Sequence, residues 1–173
     1  NVDILGHSMG ARHAIRACRI DGSRFGRVVL VDPPVSGPGR RAYPARLPWY
    51  IDSMALARQG AGLETLRPFT PTWTDEQIAL RAQWLHTCDQ AAILSSFVGF
   101  HEDDIHGDLP ALTQSALLVS AERGDVVRDE DVAEFQSLAP QLGHLRVAGA
   151  GHMIPWDNLA GFLAAVRPFL GAQ

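Results

Sequence analysis

The chain opens with a short apolar run, Val2-Asp3-Ile4-Leu5, which breaks at Gly6-His7-Ser8-Met9-Gly10. Behind that break the apolar spacing becomes helical: Ala11, Ala14, Ile15 and Cys18 share one face, while Arg12, Arg16 and Arg19 fall near the other. The three arginines are therefore expected to be a solvated face. Val28-Val29-Leu30-Val31 shows no alternation, as a strand buried on both sides of a parallel sheet requires, and it stops at Asp32-Pro33-Pro34.

From Val35 to about Leu109 the character changes. A Pro/Gly/Arg-rich opening, PVSGPGRRAYPARLP, is followed by helical patterns without strand signals. Thr74 and Gln77 have the spacing of a capping box ahead of Ile78, Ala82 and Leu85, and Asp89 is placed to cap a helix carrying Ile93, Phe97 and Phe100. Leu117-Leu118-Val119 resumes the sheet, Asp129 to Leu138 predicts a short helix, and Leu145-Arg146-Val147 predicts a further strand. Leu159, Leu163, Val166 and Leu170 predict a final helix that Pro168 should bend or end. Strand and helix thus alternate around a block of helices, which predicts an open, mostly parallel α/β sheet. Residues 1–35 and 110–173 would form its core and 36–109 a helical lid. Because Asn1 sits inside a strand, the chain is expected to be part of a longer protein whose earlier strands are absent.

Composition removes several function classes. A net charge of -4 gives no footprint for nucleic acid or an anionic membrane, and no apolar run is long enough to cross a bilayer. Cys18 and Cys88 are too few for a disulfide framework and lack metal-ligand spacing, so a reducing, cytoplasmic setting is expected. All 15 basic residues are arginines, which rules out a Ser/Lys dyad, a Schiff base or a phosphate-loop lysine within these residues.

GHSMG between a strand and a helix is the pattern of a nucleophile elbow. The turn is so tight that its serine takes unfavourable backbone angles and the residues two away on either side must be small, here Gly6 and Gly10. Such a turn lifts the Ser8 hydroxyl above the sheet and aims the Met9 N–H and the helix dipole at a developing oxyanion. Serine needs a base. Of seven histidines, His7 and His13 read as local packing residues, His86, His101 and His106 lie in or beside the lid, and His144 precedes a strand. His152 follows the last strand in the glycine-lined loop VAGAGHMIPW, at the carboxyl end of the sheet where open α/β folds gather ligands.

Two acids lie between Ser8 and His152 at strand ends. Asp125 follows the penultimate strand, and Asp32 ends the strand after the nucleophile helix, pinned by two prolines. In "SAERGDVV" Asp125 stands one residue beyond the usual acid position, which favours Asp32.

GHSMG, the order Ser8, Asp32, His152 and the closing AGHMIPWD resemble the α/β-hydrolase family. Within it, LVDPPVSGPGRRAYPARLPWYIDS, WTDEQIALRAQWLHTC and FHEDDIHGDLPAL look like its deformylase branch, along the whole chain and the lid included. The resemblance implies hydrolysis of a small formamide that carries a carboxylate, through a formyl-serine intermediate and with no metal or organic cofactor. It also implies Asp32 as the acid. A carboxylate substrate calls for a fixed cation, and Arg40 and Arg41 at the lid entrance are the tentative choice, with two solvated loop arginines as the alternative. A related amidase, an ester or enol-lactone hydrolase, and a non-catalytic binding module of the same fold are the other readings.

Overall fold

The structure is a computed structural model that describes residues 1–171. Strands β1 (Val2–His7), β2 (Phe25–Val31), β3 (Ser115–Ala121) and β4 (Leu142–Val147) form a parallel sheet in the order β1-β2-β3-β4. The chain separates into two compact units, one of Asn1–Tyr43 with Asp103–Gln173, the other of Pro44–Glu102. The helical unit is thus narrower than the expected 36–109, since the residues on either side of it pack with the sheet.

In the sheet unit, Val28, Val29, Leu30 and Val31 are all fully buried, which explains their unbroken apolar run. Val29, Val31, Leu117 and Val119 share a cluster with Phe162 and Val166 of the final helix (Leu159–Leu170). The helix α1 (Met9–Asp21) buries Ala11, Ala14, Ile15 and Cys18, the face that periodicity assigned.

Its arginines form a solvated face only in part: Arg16 and Arg19 stay half-exposed, while Arg12 is buried. Arg12 is 5% exposed and donates to the carbonyls of Pro34 and Ser36, each at 2.9 Å, and of Asp103 at 2.8 Å. Arg16 and Arg19 bind the fully buried carboxylate of Asp108. Burial disfavours the charge of Asp108, but the bonds from Arg19 and Arg16 outweigh it and hold the carboxyl below its ordinary range. The polar face of α1 is thereby a set of long-range clamps.

The helical unit holds α2 (Leu47–Arg58), α3 (Leu63–Leu66), α4 (Asp75–Leu85) and α5 (Gln90–Glu102). Met54, Ala57 and Leu85 form its apolar centre, with Cys88 and Ile93 against it. The capping box at α4 is complete: the Gln77 N–H donates to Thr74 Oγ1 at 3.3 Å and the Thr74 N–H to Gln77 Oε1 at 3.0 Å. Asp89 caps α5 by accepting the Ala92 N–H at 2.8 Å.

After β3, α6 (Asp129–Leu138) begins with three acids, Asp129, Glu130 and Asp131, which suit the positive end of its dipole. Past β4 come the short α7 (Ile154–Asp157) and α8 (Leu159–Leu170). Here the expectation needs two corrections. Leu159 is 57% exposed, and Phe162 joins Val166 in the buried stripe, with Leu163 and Leu170 partly buried against it. Pro168 does not end the helix, which runs on to Leu170 and closes at Gly171 with φ 66°. The proline removes one backbone donor from the last turn, which the helix tolerates close to its end. No helix among the described residues is long and apolar enough to cross a membrane.

Candidate active site

The Gly6-to-Gly10 turn bends where β1 meets α1, and Ser8 at its apex has φ 54° and ψ −120°. A side chain rarely tolerates that conformation, and it stands here because both neighbouring elements are fixed. The turn demands glycine at one end. A Cβ on Gly6 would overlap the Gly10 carbonyl and lie 2.6 Å from the Ala11 nitrogen, whereas a Cβ on Gly10 meets nothing within 4 Å. The two glycines therefore play unequal parts, contrary to the symmetric expectation.

Strand ends bring the polar groups together. The Ser8 hydroxyl lies 2.9 Å from His152 Nε2, and His152 Nδ1 lies 2.7 Å from Asp32 Oδ2. A carboxylate only accepts, so Nδ1 carries the proton and Nε2 is left to accept from the serine. Asp32 is fully buried, with φ 45°, a conformation that aspartate tolerates better than most residues. Its other oxygen faces the Ala121 N–H at 3.3 Å. The three side chains thus form a continuous hydrogen-bonded line from Ser8 through His152 to Asp32.

Asp125 lies elsewhere. Its side chain, 58% exposed, binds Arg128 at 2.6 Å, and that bond lowers its pKa. One residue earlier, a Cβ on Gly124 would press on Ala121 Cβ at 3.0 Å and lie 3.7 Å from Asp32 Oδ2 and 3.8 Å from the main-chain nitrogen of His152. The one-residue displacement read from the sequence has this physical consequence.

The loop after Asp32 is held at several points. Besides Arg12, His106 reaches the Val35 carbonyl through Nε2 at 3.1 Å. Arg40 pairs with both oxygens of Glu134, each at 2.7 Å. Arg41 binds Asp131 and donates to the carbonyls of Asp125 at 2.8 Å and Val126 at 2.7 Å. Arg40 and Arg41, the tentative grip for a substrate carboxylate, thus each already have a carboxylate partner on α6. Bonds of this charged kind contribute about 1.5–3 kcal/mol each when well formed. They fix the loop that carries the acid.

Two features were not legible. His7 donates from Nε2 to the main-chain carbonyl of His152 at 2.8 Å, and the two rings lie 5.0 Å apart. Burial pushes the His7 pKa down, and the bond to the carbonyl only partly opposes this. Tyr43 meets the His152 ring edge-on at 6.4 Å. No local pattern marks either contact, since each joins residues more than 100 positions apart. Met9, 40% exposed, is the first residue of α1, and its N–H is one of the helix donors without an intrahelical acceptor.

A strand-turn-helix serine, a histidine in the loop after the last strand and a buried acid after β2 thus meet on an open, parallel α/β sheet. Residues 1–165 match the model of the alpha/beta hydrolase family, and the chain belongs to that family. It is 56% identical over 167 residues to N-formylmaleamate deformylase of Pseudomonas putida, covering 96% of this chain and 62% of that protein. It also superposes on the crystal structure of a Pseudomonas putida N-formylmaleamic acid deformylase with a TM-score of 0.92 and 57% identity, over 95% of this chain and 66% of that one. A bromoperoxidase from Bacillus anthracis, 16% identical with a TM-score of 0.77, shares the fold over 99% of this chain and 67% of its own. The chain thus spans a little under two thirds of the deformylases it matches.

Proposed function

We propose that this protein is a serine amide hydrolase that cleaves N-formylmaleamate to maleamate and formate, with Ser8 as nucleophile, His152 as base and Asp32 as the acid that orients it. The observation that carries the reading is the 56% identity to a protein of that activity over 96% of the chain, helical unit included. The hydrogen-bonded line from Ser8 through His152 to Asp32 supports the chemistry.

In this mechanism Ser8 Oγ attacks the formyl carbon while its proton passes to His152 Nε2. The negative charge that gathers on the carbonyl oxygen is met by the Met9 N–H at the start of α1. The C–N bond then breaks, and His152 returns the proton to the departing nitrogen, which leaves as maleamate. Water, deprotonated by the same histidine, attacks the formyl-serine and formate departs. The sum consumes one water and restores the serine, and no step calls for a redox partner. Asp32 stays ionised throughout and stabilises the imidazolium that forms twice in each cycle. Cys18 and Cys88 are both free thiols, which suits a reducing, cytoplasmic place of action.

Formate release from N-formylmaleamate, from other N-formyl amides and from matched N-acetyl amides separates this reading from a related amidase or esterase. The expected result is fastest turnover of N-formylmaleamate and slow turnover of the acetyl analogue. Faster hydrolysis of an ester or an acetyl amide than of N-formylmaleamate would overturn the substrate assignment while leaving the hydrolase class in place.

A further inference from the structure

Among the ionisable groups at the site, His7 has no part in the chemistry above, yet it is bonded to the base. It immediately precedes Ser8, and the Nε2 of its ring lies 2.8 Å from the carbonyl oxygen of His152. A carbonyl only accepts, so His7 is the donor and its proton sits on Nε2. We propose that His7 is a positioning residue: by holding the main chain of His152 against the nucleophile strand, it keeps the base in line with the Ser8 hydroxyl. The proposal rests on the Ser8 and His152 roles assigned above.

The other anchors of the histidine loop show what His7 adds. Ala150 O accepts from the Arg123 N–H at 2.9 Å, Gly149 O from Arg123 Nε at 2.7 Å, and the Gly149 N–H donates to Glu122 at 2.7 Å. The Gly151 N–H donates to Asp157 at 2.7 Å. These ties run to the loop after β3 or to α7. The bond from His7 runs to β1, the strand that delivers the serine. Nucleophile and base are thereby registered to each other through one side chain adjacent to the nucleophile.

That registration matters in both half-reactions, when Ser8 gives up its proton and when water attacks the acyl group. Once Ser8 carries an acyl group it has no hydroxyl proton to donate to His152 Nε2. The imidazole must then activate water while held only by Asp32 at Nδ1 and by its own backbone. A misplacement of about 1 Å between reacting groups costs about 10²-fold in rate. Loss of the His7 bond is therefore expected to act on kcat and to leave substrate binding unchanged.

The test compares His7→Leu, His7→Asn and His7→Gln in the purified protein. A glutamine amide nitrogen reaches about as far as Nε2 and can donate to the same carbonyl, an asparagine amide is one bond too short, and leucine cannot donate. Three readouts are needed: kcat and KM for formate release from N-formylmaleamate, the rate of covalent labelling of Ser8 by a fluorophosphonate, and the thermal midpoint. Leucine and asparagine should lower kcat and labelling by about 30–100-fold with KM within about twofold, and glutamine should recover to within about fivefold of the parent. Equal rates in the glutamine and asparagine variants would overturn the proposal, even if the leucine variant failed to fold, as would parent-like rates in all three. Labelling separates this proposal from the substrate assignment. If the parent labels at Ser8 but releases no formate, the deformylase reading fails while the effect of His7 remains measurable. If the parent does not label at Ser8, both fail.

Discussion

Alanine at Ser8 or at His152 is expected to lower kcat by about four to six orders of magnitude while the protein keeps its fold. Members of a nucleophile-base-acid relay act as a unit, so losing one removes nearly all that the unit contributes. The expectation of an intact fold has its own basis. Ser8 sits at the N-cap of α1 but makes no side-chain capping bond there, so removing its hydroxyl takes no support from the helix. The His152 ring is bonded to Ser8 and Asp32, and its carbonyl, which His7 holds, survives the change to alanine. Steady-state turnover beside a thermal melt checks the result. Either variant retaining activity within about tenfold of the parent, with an unchanged melt, contradicts the assigned roles.

The second large effect belongs to the acid. Asp32→Asn is expected to reduce kcat by about 10⁴-fold, because an amide facing Nδ1 favours the imidazole tautomer that cannot take the serine proton. Asparagine is a suitable probe, since it also tolerates the positive φ of 45° at this position. Asp125→Asn should change kcat by no more than about threefold. Its carboxylate is 58% exposed and paired with Arg128, and an exposed pair of that kind contributes about 0–1 kcal/mol. Measuring both variants on one substrate settles the pair, and a greater loss at Asp125 would reverse the assignment.

Much of the site could be read from short stretches, because short stretches set it. The elbow needs a strand, a tight turn and a helix in direct succession, and Val2 to Arg19 displays all three. Asp32 directly follows β2, where an apolar run stops abruptly, and His152 stands in the glycine-lined loop after β4. The choice between Asp32 and Asp125 turned on a displacement of one residue, and in the structure the Asp32 carboxylate meets the His152 ring while Asp125 pairs with Arg128.

What could not be read depends on partners far along the chain. Periodicity places Arg12, Arg16 and Arg19 opposite the apolar face of α1, but it cannot say that buried carbonyls and the carboxylate of Asp108 wait on that side. Arg40 and Arg41 look like free cations on a polar loop until α6 brings Glu134 and Asp131 to them. The symmetric rule for the elbow glycines misses that only Gly6 faces backbone across the turn. His7 passes for a packing residue because its acceptor, the carbonyl of His152, is 145 positions away.

If amide cleavage passes through an ester on Ser8, that ester can be trapped. Mixing the protein with excess N-formylmaleamate, quenching in acid within one turnover and sequencing the peptides by mass spectrometry should find the mass of one formyl group on Ser8. In the Asp32→Asn variant the adduct should form far more slowly. Formate released in the first turnover with Ser8 unmodified, or with the formyl group on another residue, would contradict the account.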